Sequence, residues 1–148
     1  MNQTTAEILL IIPLIFFLSV LMFLAGPLRS VMNKMSPKAS KEFISLLFKL
    51  GQRSVFMLTI TNVTVLGAIP YFIIYGFNNV WFTSGIVLFI ITASVAKIYK
   101  LPIYKKITTL SATSPEWMDE RRKMHKGNGL QALFTFLSLC IMAIAYLR

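Results

Sequence analysis

The stretch SVFMLTITNVTVLGAIPYFIIYGFNNVWFTSGIVLFIITASVA (Ser54–Ala96) runs for 43 residues without a charged side chain. A helix that crosses a membrane needs about 20 mostly apolar residues. The stretch is therefore long enough for two crossings, and the segment YGFNN (Tyr75–Asn79) supplies the turn between them. On either side, Ile8–Leu28 and Gly127–Leu147 each hold 21 uncharged residues, enough for one crossing apiece.

These runs predict an all-α fold, an integral membrane antiparallel four-helix bundle with amphipathic cytoplasmic segments. A single domain covers residues 1–148, with transmembrane helices at about 8–28, 54–76, 79–97 and 128–147 and loops at 29–53 and 98–127. The chain is 56% hydrophobic, against about 45–50% in ordinary soluble domains. The first run lacks a basic start and is too long for a signal peptide, so we expect it to remain as a helix.

The basic residues are unevenly distributed along the chain. Of 15 Lys and Arg residues, 14 fall within 29–53 or 97–126, and only Arg148 lies elsewhere. Because cytoplasmic loops carry an excess of Lys and Arg, this bias places both loops in the cytoplasm and both termini outside the plasma (inner) membrane. Anionic lipid headgroups are the expected partners of these charges, and nucleic acid is not expected.

Two Ser-Pro pairs predict helix starts within the basic loops. Ser36 precedes Pro37, and Ser114 precedes Pro115, with Ser as the N-cap and Pro as the first helical residue. Thr113 with Glu116 is an alternative capping box for the second helix. Gly127 and Gly129 are expected to allow a bend into the last transmembrane helix.

Each predicted span has one narrow face of small or polar residues at helical spacing, and such faces pack inward in membranes. In the first, third and fourth spans these faces comprise Ser19, Met22 and Gly26; Gly85, Phe89, Thr92, Ala96 and Tyr99; and Gln131, Thr135, Ser138, Met142 and Ala145. In the second span the face comprises Thr61, Thr64, Ala68, Tyr71 and Tyr75.

Two interpretations of these faces remain open: packing between helices, or the lining of a ligand pocket. The pocket candidates are Thr64, Tyr71, Tyr75, Thr92 and Gln131. At its cytoplasmic mouth the candidates are Tyr104, His125 and Asn128, the last two within DERRKMHKGNG (Asp119–Gly129). The alternative for that stretch is a water-facing helix that meets lipid headgroups. Asn62 lies roughly opposite the Thr64 face, so either the second span is contacted on both faces or Asn62 marks an oligomer interface.

The sequence offers few residues that could bind a metal ion or a cofactor. His125 is the only histidine, and no acid or second histidine stands at metal-ligand spacing, so no metal site and no cofactor are predicted. The single cysteine, Cys140, excludes an intrachain disulfide. Apart from Lys97 at the end of the third, the predicted spans contain no Asp, Glu, Lys or Arg, which argues against an ion-coupled transporter.

Three short segments carry a family resemblance. AGPL (Ala25–Leu28) closes the first span, LPIYKKI (Leu101–Ile107) follows the third, and ERRKMHKGNGLQAL (Glu120–Leu133) enters the fourth. In this order they resemble the anthrone-oxygenase-like family of small four-helix membrane proteins. Tyr104 stands where that family usually has Asn, Asn128 matches, and Gln131 stands where Arg is common. The resemblance implies oxidation of flat aromatic molecules without metal or flavin.

The layout is also similar to that of membrane-associated glutathione transferases, which have four spans and about this length. Of the arginine- and glutamate-bearing motif of their second helix, RSVFMLTITN (Arg53–Asn62) keeps only Arg53 and Asn62.

We expect a non-enzymatic protein that binds an apolar small molecule or lipid within its bundle. One alternative is a cofactor-independent oxygenase acting on an apolar aromatic substrate. The other is an accessory structural subunit of a larger membrane complex, and a homo-oligomer is compatible with each of them.

Overall fold

The computed structural model describes residues 1–147, apart from the side chains of Met57 and Thr61, and that part of the chain is helical without a strand. It contains the helices α1 (Gln3–Ala25), α2 (Pro27–Lys34), α3 (Pro37–Arg53), α4 (Val55–Tyr75), α5 (Val80–Thr109) and α6 (Pro115–Ile144). The prediction of an all-helical fold is confirmed.

Four helical segments are long and apolar enough to cross a membrane: Gln3–Lys34, Leu58–Tyr75, Val80–Thr109 and Pro115–Ile144. Large apolar side chains remain exposed along them, including Ile73 at 79% and Ile98 at 76%. Water-exposed surfaces rarely carry so many large apolar groups, whereas lipid accommodates them.

The helix starts follow the predicted caps. The Ser36 hydroxyl accepts a hydrogen bond from the Ala39 amide at 3.3 Å, and the Ser114 hydroxyl accepts one from the Trp117 amide at 3.1 Å. Ser114 is thus the cap of α6, rather than Thr113. At the chain start, Asn2 caps α1 by accepting from the Thr5 amide at 2.8 Å. This cap starts α1 at Gln3, five residues before the predicted span.

The two basic segments are mostly helical, so the helices extend beyond the predicted apolar spans. Segment 29–53 contains part of α2 and all of α3, and α5 continues through Pro102 to Thr109. Only residues 110–114 separate α5 from α6, which runs without a break through Gly127 and Gly129. Lys and Arg are good helix formers, so a run of charge ends the apolar span without ending the helix.

The helices pack in a chain of neighbours. α1 lies against α4 and α6, α5 lies along α6, and α3 covers part of α5 and touches α4. One apolar core joins α1, α4, α5 and α6; a second joins α2, α3 and the ends of α5 and α6 around Trp117. We call the end with α2, α3 and residues 110–114 the basic end, and the end with the turn 76–79 the hairpin end.

Three of the four predicted inward faces are buried over most of their length: Thr64, Ala68 and Tyr71 on α4; Gly85, Phe89 and Thr92 on α5; and Gln131, Thr135, Ser138 and Met142 on α6. Tyr75, Ala96 and Ala145 on the same faces are half-buried. Thr61 lies outside the described side chains, and Tyr99 is exposed. The face predicted for α1 was wrong, because Ser19, Met22 and Gly26 are exposed. Helix α1 instead buries large apolar residues between two neighbours, and the Ser19 hydroxyl donates to the Ile15 carbonyl at 2.9 Å.

Candidate ligand site and polar clusters

A groove of about 450 Å³ lies between α1, α3 and α5 near the basic end, and we call it the α1/α3/α5 groove. Its α1 wall includes Phe17 and Leu21, and its α3 wall includes Leu47 and Phe48. This opening exists because α4 packs on α1 and leaves the adjacent face of α5 free for α3. The volume falls within the range of about 300–1,000 Å³ typical of small-molecule pockets.

The Phe48 and Tyr104 rings stack where α3 meets α5 on this groove. Their centroids are 4.7 Å apart and their planes differ by 5°. Tyr104, predicted at a cytoplasmic mouth, lines the groove next to the side chain of Asn128. The stacked pair holds the amphipathic helix α3 against the spanning helix α5.

A second groove, of about 380 Å³, follows the seam between α5 and α6, and we call it the α5/α6 groove. Ile91, Val95 and Phe134 make its wall apolar, and Thr92 lies within it. Gly127 lets the helices approach, since a Cβ there would lie 3.2 Å from Lys100 Cγ. This contact, rather than a bend, accounts for the glycine.

Lys100 and Gln131 belong to both grooves. The Lys100 ammonium donates to the Gln131 side-chain carbonyl at 2.7 Å. None of the described residues that line either groove is acidic, so this partly buried cation has a neutral partner on the groove wall. The sequence alone places Lys100 among the loop charges, since nothing in the neighbouring residues distinguishes it from Lys97 or Lys105.

Glu7 forms a polar cluster at the hairpin end that the predicted spans left out. Its side chain is 2% exposed, and its Oε1 accepts from Tyr71 at 2.6 Å, Gln3 at 2.9 Å and Asn79 at 3.0 Å. The Tyr146 hydroxyl donates to Oε2 at 2.8 Å. Four helices or their flanking residues therefore meet on one carboxylate, whose named partners are neutral donors.

The cluster determines what the predicted pocket residues of α4 contact. Tyr71 is buried against Glu7, and the Tyr75 hydroxyl donates to the Met1 carbonyl at 2.6 Å. Thr64 is buried and donates to the Ile60 carbonyl at 3.2 Å. None of these three lines either groove, so the structure separates them from Thr92 and Gln131.

Several side chains of the stretch 119–129 are buried, whereas a helix that faces water would expose them. His125 is 6% exposed, Glu120 is 7% and Asn128 is 2%. Within residues 1–147, neither His125 nitrogen has a hydrogen-bond partner. Helix α2 meets this part of α6 at Arg121, which donates to the Asn33 side chain at 2.8 Å. His125 is not among the residues that line the α1/α3/α5 groove.

Asn62 is exposed on α4, on the side away from Thr64. It lies in a shallow groove with Thr59, Val63 and Leu66. The described part of the chain holds no group of three or more His, Cys, Asp or Glu side chains that could bind a metal ion.

Comparison with protein-family models, curated proteins and solved structures finds no match to this chain.

Proposed function

We propose that the protein is an antiparallel four-helix membrane bundle that binds a lipid or another apolar small molecule in the α1/α3/α5 groove. The observation that carries this proposal is the groove itself, apolar along Phe17 and Leu21 and polar near Lys100 and Tyr104. A molecule bound there would contact three helices of the protein instead of the surrounding lipid.

The contacts between neighbouring helices support the antiparallel arrangement. Along α1, Glu7 meets Tyr71 while Phe16 meets Phe56, so α4 numbers fall as α1 numbers rise. Along α5 and α6, the Ser138 hydroxyl donates to the Gly85 carbonyl at 2.6 Å. Lys100 meets Gln131 farther along, which is the same inverse order.

We further propose that the basic end faces the cytoplasm of a cell whose plasma membrane holds the protein, with both termini outside. Contacts between the two basic segments support a common side. The Lys41 ammonium donates to the Leu110 carbonyl at 2.6 Å, and Arg121 donates to Asn33. Anionic headgroups at that leaflet would neutralise the exposed charges.

The test is retention of a ligand by a groove variant and a matched surface variant. Ala93 lines the groove, whereas Ala143 is exposed on α6. We expect Ala93→Phe to lower the amount of lipid or apolar molecule that remains after gentle purification, as measured by mass spectrometry, and Ala143→Phe to leave it unchanged. Equal retention by both variants and wild type would show that the groove is not the site.

A cofactor-independent oxygenase acting on an apolar aromatic molecule is the second candidate. Phe48 and Tyr104 favour it, since both aromatic side chains line the groove and aromatic rings pack well with one another. The test is oxygen consumption by the purified protein with a fused-ring aromatic phenol. Turnover that is lost in Tyr104→Leu supports the enzyme, and binding without oxygen consumption supports a binding protein.

A further inference from the structure

On α5, the polar residues that line the α1/α3/α5 groove all lie on the basic-end side of Ala93 and Ala96. On α5 the lining runs from Ala93 to Tyr104, an axial rise of about 16 Å at about 1.5 Å per residue. Ala93 faces the apolar part, and Lys97, Lys100 and Tyr104 follow toward the basic end. A ligand that matches this wall has one apolar chain and one polar head.

The charges of the polar residues in the groove indicate which chemical group the polar head of the ligand carries. Lys97 and Lys100 are cations, the other polar lining residues are neutral, and none of the described lining residues is acidic. Lys97 is exposed, while Lys100 is partly buried and held at 2.7 Å by the Gln131 carbonyl oxygen. A partly buried ammonium gains most from an anion, because desolvated charges need an opposite charge nearby.

We propose that the α1/α3/α5 groove binds a fatty acid, with its carboxylate at Lys100 and its acyl chain along Phe17 and Leu21. This inference rests on the proposed function and adds the class of ligand. One partly buried cation matches a monoanionic head, and the Tyr104 hydroxyl lines the same end as a second donor. The acyl chain would then point from the basic end toward the middle of the membrane.

The experiment compares a fatty acid with the fatty alcohol of equal chain length, both added to the protein in nanodiscs of uncharged lipid. We expect the acid to bind at least about tenfold more tightly than the alcohol, in keeping with a hydrogen bond to a charged group. Lys100→Met should lower binding of the acid to the level of the alcohol, and the alcohol binding that the variant retains shows that it folds. Lys105→Met, which alters an exposed lysine outside the groove, should keep the preference.

The outcomes separate this inference from the proposed function. Equal binding of acid and alcohol by wild type would overturn the carboxylate assignment and leave the apolar groove intact as a site. Binding of neither would overturn both. A preference for the acid that survives Lys100→Met would also overturn the assignment, as would tighter binding of a lysophospholipid, which would indicate a phosphate head instead.

Discussion

Tyr71 donates its hydroxyl hydrogen to Glu7 Oε1 across 2.6 Å, joining the C-terminal turns of α4 to the second turn of α1. Both side chains are buried, at 3% and 2% exposure. A carboxylate in such a place needs donors on its oxygens, because burial removes the water that would otherwise hydrate it. The pair therefore makes the hairpin end of the molecule depend on one acid.

Tyr71→Phe should destabilise the protein, since it removes one donor from Glu7 and keeps the ring. We expect a loss of about 1–2 kcal/mol, between the values for hydrogen bonds to charged groups and those measured within membranes. Tyr75→Phe is the control, because its hydroxyl contacts the Met1 carbonyl and not Glu7. Unfolding in mixed detergent measures both, and equal stability of Tyr71→Phe and wild type would contradict a structural role for the pair.

Two glycines should respond in opposite directions to alanine. A Cβ at Gly85 would lie 2.8 Å from the Ser138 carbonyl oxygen and closer still to the Met142 side chain. We expect Gly85→Ala to cost about 1–3 kcal/mol by overpacking α5 against α6. Gly129 has nothing within 4 Å of such a Cβ, so Gly129→Ala should gain roughly 0.5–1 kcal/mol from helix propensity. Thermal unfolding measures both effects. A Gly85→Ala protein as stable as wild type would contradict the close approach of α5 and α6 at Gly85.

Much of this architecture follows from local signals. The charge-free runs are read directly from the sequence, the Ser36 and Ser114 caps are each encoded within a few residues, and the α4, α5 and α6 faces follow helical spacing. The Glu7 cluster was not predicted, because the charge-free run begins one residue after Glu7. The spacing of Gln3 and Glu7, one helical turn apart, was the available signal. The α1 face was wrong because small residues mark an interface only where helices come close, and α1 packs through Leu10, Leu14 and Phe17.

The burial of His125 could not be predicted from the residues around it in the sequence. Its neighbours Arg121, Arg122, Lys123 and Lys126 predict a solvated helix. Its burial depends instead on tertiary contacts of α6 with distant parts of the chain, such as the hydrogen bond between Arg121 and Asn33, which are 88 positions apart. Such long-range contacts leave no periodic mark in a single sequence.

Asn62→Leu should weaken a homo-oligomer. An exposed amide in hydrocarbon is costly, and two copies could satisfy it with hydrogen bonds of roughly 0.6 kcal/mol on average, up to about 1.7. Val63→Leu, a neighbouring exposed position without a polar group, is the matched control. Detergent sizing at several concentrations measures the effect, and a monomer for wild type and both variants would rule out the interface.

The proposed topology predicts a labelling pattern. After Cys140→Ser, single cysteines at the exposed positions Thr4, Asn78 and Ser111 report on the two ends without altering the Glu7 cluster. An impermeant thiol reagent applied to intact cells should label Thr4→Cys and Asn78→Cys, and should reach Ser111→Cys only after lysis. Labelling of Ser111→Cys in intact cells would reverse the assignment.

The most direct test of the central claim is where a photoreactive single-chain lipid crosslinks to the protein. A chain that occupies the α1/α3/α5 groove should label peptides containing Phe17–Leu24 and Leu47–Gly51 at one lipid per protein, and Ala93→Phe should abolish that labelling. Labelling spread over the exposed faces of α4 and α6, unchanged by Ala93→Phe, would mean that lipid only surrounds the protein and that the groove binds nothing.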